Sequence, residues 1–363
     1  MRLEPIKRDG LCYNHIIGTG GIGSGIFFSM NGDHTLGRNE SRMAILKPFQ
    51  DYCKQHIIMH YVSELMGSGH QEMFRSFPIG KVGEDEAGRM LRTKMEDVGM
   101  DINHVIQCHD YPTLFSVCFQ YPDHTGGNIT TDNSASSQVT PQDIKNFFKN
   151  YQAKGVDGIT LSVPEVPIMT RIELMKQGRD LEMLNVVSVL SSEIEEFIAL
   201  NGFYYTDLLA VNIDEAKHIA RVTGKVNTSD IIDGCISKLI QLNKEITALI
   251  TDGANGVYVY KKNQLEFVPA IATQVVSTAG AGDAFLAGTI AGICCGLPLF
   301  RETTGHLETA VDLGCLVASL SVMSENTIHF GVNVQSVLEY AEEKRLLLGP
   351  DFMKIFGEVL NHR

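Results

Sequence analysis

Short apolar runs rich in β-branched residues alternate with helical patterns along most of this chain, and no other feature constrains its fold as tightly. Residues 15–18, 158–162, 186–190, 208–211, 248–251 and 256–260 read as strands. Residues 86–98, 141–151, 167–179, 191–200, 214–223 and 230–242 read as helices. Strand followed by helix at this spacing predicts an α/β fold, in which a mostly parallel sheet is covered by helices on both faces. The stretch 211–257 shows the pattern well: a strand ends at Asn212, a helix follows, and a new strand runs into Thr251-Asp252-Gly253.

Two stretches break the rhythm. Residues 24–48 are rich in Gly, Asn and Arg, and residues 113–136 alternate before giving way to a polar Gly- and Ser-rich run. Both read as antiparallel strands and loops inserted into the α/β framework, with boundaries near 24–48 and 110–136. The 363 residues show no repeat or linker, so one domain spanning 1–363 is expected, with a helical tail after about Val334.

The net charge of −13 argues against nucleic-acid or acidic-membrane partners, which need clustered Lys and Arg. It leaves room for a small anionic ligand held by a few local donors. Eight Cys without a Cys-x-x-Cys pair predict free thiols in a reducing cytoplasm rather than a zinc site or disulfide framework. The N-terminal residues carry charge with no apolar run behind them, which predicts no signal peptide. Residues 284–300 are apolar throughout, but they hold three Gly and one Pro and fall short of a membrane span. They read as a helix buried in the core.

That helix is preceded by Thr278-Ala279-Gly280-Ala281-Gly282-Asp283, which follows an apolar run at 271–276 expected to be a strand. Two Gly within three residues let the backbone turn its N–H groups toward one spot, and the helix start adds its own unsatisfied donors and positive dipole end. An anion hole of backbone N–H groups is the functional reading. Asp283 beside it is placed to take a proton from a hydroxyl attacking a phosphoryl group. A Gly-rich loop with a capping Asp is the plain alternative. Asn212 and Glu215, three apart at a strand end, suit a hydrated Mg²⁺ near phosphates or a simple capping box. Thr251, Gly253 and Gly256 suit close approach of a nucleotide or a plain hairpin turn.

Taken in order, these motifs resemble the ribokinase-like (PfkB) family of carbohydrate kinases. Residues 277–283 are similar to its C-terminal signature, Asn212 and Glu215 to its Asn-x-x-Glu motif, and Thr251, Gly253 and Gly256 to its Thr-x-Gly-x-x-Gly. Residues 79–89 and 99–101 resemble its N-terminal segment, and the likeness covers roughly residues 12–340. The resemblance implies a three-layer α/β/α sandwich with a small β-sheet lid. It implies transfer of the γ-phosphoryl group of ATP to a hydroxyl of a sugar or sugar-like substrate. Asp283 is then the general base, and Gly280, Ala281 and Gly282 form the anion hole. Asn212 and Glu215 organise Mg²⁺ through water, and Thr251, Gly253, Gly256 and Thr278 line the ATP site. Lids of the family often pair, so a homodimer is expected.

Three departures qualify the likeness. Ser277 replaces the Asp that begins the signature, and Asn326-Thr327 replaces a Gly-Ala pair, so the monovalent-cation site of many relatives is in doubt. On the helix expected at 51–65, Cys53-Lys54 stands where relatives carry a Gly pair, and Ile58 stands for an Asn. The polar run 32–42 is the substrate-site candidate instead: Asp33 for sugar hydroxyls, Arg38, Asn39 and Arg42 for a polar or anionic group. A solvated lid loop is the alternative. Other readings compete. A nucleoside could be the acceptor, or a non-catalytic relative could have kept the fold. Gly18-Thr19-Gly20-Gly21-Ile22-Gly23 matches a dinucleotide fingerprint, but that reading needs a following helix, which residues 24–33 poorly support. His56 and His60, four apart, have metal-binding spacing but no evident third ligand.

Overall fold

The computed structural model describes residues 1–363 except 8–9, 70–73, 124, 152–157, 225, 304 and 363. The N-terminal part runs β1 (His15–Thr19), β2 (Gly23–Met30), β3 (Ala44–Tyr52), α1 (Lys54–Met66), β4 (Arg75–Gly83), α2 (Glu86–Asp97) and β5 (Val105–Cys108). It continues with β6 (Leu114–Gln120), β7 (Gly126–Thr130), α3 (Pro141–Asn150), β8 (Gly158–Ser162), α4 (Ile168–Asp180), β9 (Leu184–Ser188) and α5 (Ile194–Ala199). Then come β10 (Leu208–Asn212), α6 (Ile213–Ile219), α7 (Thr228–Leu242), β11 (Thr247–Thr251), β12 (Gly256–Lys261) and β13 (Gln264–Pro269). Helices α8 (Ala281–Cys295), α9 (Ala310–Ser321) and α10 (Val334–Glu343) complete the chain with a short helical tail.

Nine strands form the main sheet in the order β13-β12-β11-β10-β9-β8-β1-β4-β5. All neighbours from β11 to β5 pair parallel, and β11-β12-β13 is an antiparallel meander at the edge. Side chains alternate across a strand, and here both sets are buried. On β10, Leu208 and Ala210 join the core beneath α1, α2, α8, α9 and α10, whereas Leu209 and Val211 join the core beneath α4–α7. The expected three layers result, with α3–α7 on one face.

The apolar run that mimics a membrane segment is α8, buried along almost its whole length. Its glycines let another helix approach: a Cβ on Gly288 would lie 2.9 Å from Gly314 Cα, and one on Gly292 would lie 2.7 Å from Ala310 Cα. Gly296 then ends the helix in the left-handed conformation. No helix among the described residues is long and apolar enough to cross a membrane.

The two inserted stretches build one four-stranded sheet, β3-β2-β6-β7. The antiparallel expectation holds for β2-β3 and β6-β7, but β2 and β6 pair parallel, because each leaves the main body in the same direction. Three local readings need correction. Residues 271–276 are not in a sheet; the strand before α8 is β13, and Val276 instead donates to Val322 O at 2.7 Å. Asp51 and Tyr52 end β3, so the helix expected from 51 starts at Lys54. Strands β4 and β5 are additions to the sequence reading.

Candidate active site

In an open parallel sheet the cleft lies beyond the carboxyl ends of the strands, where the chain order reverses. Here that point is β1, flanked by β4 on one side and β8 on the other. The register aligns the strand ends: Thr19 pairs with Ser162, and Asn212 with Thr251. The lid hairpin β2-β3 rises from the same edge. Its base is where Gly25 pairs with Asp51, just before α1.

The loop before α8 delivers Asp283 to this edge. Gly280 is the N-cap with φ 79°, and a Cβ there would lie 2.5 Å from Thr327 O, so only glycine fits. The N–H groups of Gly280, Gly282 and Asp283 have no partner among the described residues, and the space beside Gly282 is open. Ala281 differs from expectation: its N–H donates to Thr278 O at 3.2 Å. Asp283 lies on the first turn and is 9% exposed. Lys54, the first residue of α1, donates from Nζ to Asp283 Oδ1 at 3.1 Å. Beside Asp283, and with Glu215 and Glu165 nearby, its ammonium is held above its ordinary value.

Asn212 and Glu215 form the reciprocal capping box of α6: Asn212 Oδ1 accepts from Glu215 N, and Glu215 Oε2 from Asn212 N, both at 2.8 Å. The box does not take Glu215 out of the cleft. Burial raises its carboxyl, and the charges of Lys54 and Asp283 both act on it. Thr251 is followed by the β11-β12 hairpin turn, in which Asp252 N donates to Gly256 O at 2.8 Å. Gly253 (φ 52°) and Gly256 (φ 138°) take backbone conformations that suit glycine. The turn stands beside Asn212, because Thr251 pairs with Asn212 at the carboxyl ends of β10 and β11.

Two carboxylates near Asp283 carry no signal in the sequence, Glu165 and Asp51. Glu165 follows β8 with φ 75°, a strained value for a residue with a side chain. Its carboxyl lies against Gly21, where any Cβ would collide with it. Gly21 thus makes room for Glu165, as Gly20 does for Val163, and Gly21 N donates to Pro164 O at 2.9 Å to fix the loop. Burial raises the Glu165 carboxyl to about 7, with Cys53, Lys54, Asp283 and Asp51 around it. Asp51 accepts from Cys118 Sγ of β6 at 3.1 Å, and burial raises its carboxyl as well.

Comparison with known proteins gives the family. The family model for pfkB family carbohydrate kinases matches residues 64–333. The chain belongs to the PfkB family of carbohydrate kinases. Ribokinase of Staphylococcus aureus (strain COL) is 24% identical over 67% of this chain and 75% of its own length. Arabidopsis thaliana ribokinase, solved with ribose and ATP, shares the fold at TM-score 0.67 and 16% identity, covering 90% of this chain and 98% of that one. The nucleoside kinase of Burkholderia thailandensis, solved with inosine, does so at TM-score 0.67 and 15% identity, covering 91% and 97%. The ribokinase-like sandwich is therefore the fold of this PfkB chain.

Several expectations change within that frame. Asp33, Arg38, Asn39 and Arg42 do not join the cluster around Asp283. They sit beyond Met30 and Ala44, at the far end of the hairpin, about 17 Å along β2 from the Gly25–Asp51 base. Arg42 is spent within its own loop, on Glu40 Oε1 (2.6 and 2.9 Å) and His34 O (2.7 Å). Glu40, with Gly37 N and Arg42 donating to it, is lowered to about 2. Asp33, Arg38 and Asn39 are exposed. The dinucleotide reading of residues 18–23 fails because a lid strand, β2, follows the glycines where a helix is required. His56 and His60 are buried core residues of α1, packed edge-on to Tyr52 and Phe330 respectively. Around Ser277 the PfkB chain uses its substituted residues to hold the lid: Asn326 Oδ1 accepts from Gln50 N (3.3 Å) and Thr327 Oγ1 from Tyr52 N (3.0 Å).

Proposed function

We propose that this protein transfers the γ-phosphoryl group of ATP to a hydroxyl of a small sugar or sugar-like acceptor, with Asp283 as general base. The observation that carries the reading is one carboxylate, Asp283, on the first turn of α8 beside free backbone N–H groups and open space at the carboxyl edge of the sheet. Donors without partners at a helix start fit the phosphates of a nucleotide. Gly280 and Gly282 supply them, and Ala281 joins once its turn to Thr278 opens. Thr278 is exposed at the entrance to this loop.

Thr251, Gly253 and Gly256 would border the nucleotide, and Asn212 and Glu215 would hold Mg²⁺ through water. The donor set suits that ion: one buried carboxyl and one amide, with the phosphates supplying the remaining oxygens. When bound, Mg²⁺ neutralises charge on the phosphates. The acceptor lies on the other side of Asp283, where Asp51 and Glu165 accept its hydroxyls. Asp283 removes the proton of the attacking hydroxyl, and the N–H groups hold the charge on the transferring group. The hydroxyl-bearing part of a nucleoside presents the same chemistry as a sugar, so nucleosides belong among the acceptors to be tested. Exposed Ile45, Leu46 and Ile129 on the lid support pairing of two copies there.

Incubation with ATP, Mg²⁺ and a panel of sugars and nucleosides tests the reading. ADP release that depends on an acceptor, with a phosphorylated product, is the expected result. A panel in which nothing exceeds the rate without acceptor contradicts it.

A further inference from the structure

We propose that Lys54 grips the transferring phosphoryl group during the reaction and holds Asp283 in check before it. The proposal rests on the kinase reading above and adds a catalytic residue to it. Two long helices, α1 and α8, begin at the same point of the cleft, and their first turns meet through Lys54 and Asp283 at 3.1 Å. The first turn of α1 carries no acidic residue, and its N-cap Cys53 makes no capping hydrogen bond, so nothing on α1 itself offsets the lysine. The contact joins residues 229 apart in sequence, so it reflects the fold rather than a local turn.

The surroundings say what the lysine is for. Glu215 follows β10 and Glu165 follows β8, two strands along the same sheet, and the charges of Lys54 and Asp283 act on both. A terminal phosphate approaching Asp283 enters a space bounded by carboxylates, in a protein whose net charge is −13. Backbone N–H groups alone leave that repulsion largely in place. Lys54 removes it, because its ammonium already stands against Asp283 on a flexible four-carbon stem. Its side chain is 28% exposed, so it has room to swing. The neighbouring carboxylates keep it protonated.

The step balances without any further reagent. Lys54 releases Asp283 Oδ1 and takes a γ-phosphoryl oxygen. The acceptor hydroxyl gives its proton to Asp283 as its oxygen bonds to phosphorus. The bond from the γ-phosphorus to the β–γ bridging oxygen breaks, and its electron pair leaves with ADP. Lys54 keeps its proton throughout.

The test is binding of ADP and of the imido analogue of ATP, AMP-PNP, each with Mg²⁺, by titration calorimetry. The wild-type protein should bind AMP-PNP more tightly than ADP. Lys54→Met should lose about tenfold of that preference, the lower end for removing one charge-assisted hydrogen bond, with ADP affinity within about twofold. Lys54→Gln keeps a donor for Asp283 without the charge, and it should lose the preference as well if the methionine variant does not fold. Lys54→Arg should retain most of it. An unchanged preference in a folded Lys54→Met or Lys54→Gln protein overturns the proposal, as does a wild-type protein with no preference. A wild-type protein that binds neither nucleotide overturns the kinase reading and the proposal together.

Discussion

The two sides of Asp283 are built differently. On the side proposed for the nucleotide, backbone supplies the groups: the loop 277–283, the Asn212 capping box and the hairpin after Thr251 each lie within a few residues of sequence. On the side proposed for the acceptor, side chains from distant segments meet: Asp51 from the lid, Lys54 from α1 and Glu165 from the loop after β8. A backbone site tolerates many phosphate ligands but few changes of glycine. A side-chain site is tuned by substitution, and this is where the chain departs most from the pattern it resembles. Under the proposed function, one edge of the sheet would hold a general nucleotide site and a specialised acceptor site, joined at a single carboxylate.

Changes at the junction should have the largest effect. Asp283→Asn should reduce turnover by roughly a hundredfold or more while AMP-PNP binding stays near normal, as steady-state kinetics and calorimetry will show. Next comes the nucleotide side. In Gly280→Val the new side chain would meet Thr327 O at a positive φ, so urea denaturation should show a loss of about 1–3 kcal/mol, with weaker nucleotide binding.

The acceptor side should behave otherwise. Glu165 has its carboxyl raised from 4.5 to about 7 by burial, so between those values the folded state binds more protons than the unfolded state. Stability is therefore greatest below pH 4.5 with respect to this group, and it falls as pH rises toward 7. Glu165→Gln should flatten this slope in melting temperature against pH, and raise the KM for the acceptor with little change in the KM for ATP. An unaltered slope would show that Glu165 ionises freely in the folded protein. The smallest effect belongs to the lid tip. Arg42→Ala breaks the loop's pairing with Glu40, far from Asp283, and should change turnover less than about twofold, with stability within about 0.5 kcal/mol.

The same contrast explains what could be read from the sequence. The parallel sheet was legible because β8 to β11 are short β-branched runs separated by helices. Strand β4 was not, because Pro78, Gly80 and Gly83 interrupt its apolar pattern. The β-branched residues of 271–276 look like a strand, yet nothing in a sequence shows that they lie outside the sheet, against Val322. Asp283 was legible because its chemistry sits in one contiguous motif. Lys54 was noticed only as a departure from the family pattern, and its partner is 229 residues away. Glu165 carried no periodic signal, and the glycine that accommodates it, Gly21, sits in a run that looks like a dinucleotide motif. Arg38 and Arg42 drew attention as a charge source because sequence shows charge without distance; the hairpin carries them away from the cleft.

Phosphorus NMR of wild type and Asp283→Asn, each with ATP, Mg²⁺ and the acceptor panel, tests the central claim most directly. The account predicts a new phosphoester signal growing with ADP in the wild type and virtually none in the variant over the same time. Equal growth in both, or ATP loss that yields only inorganic phosphate with every acceptor, would contradict it.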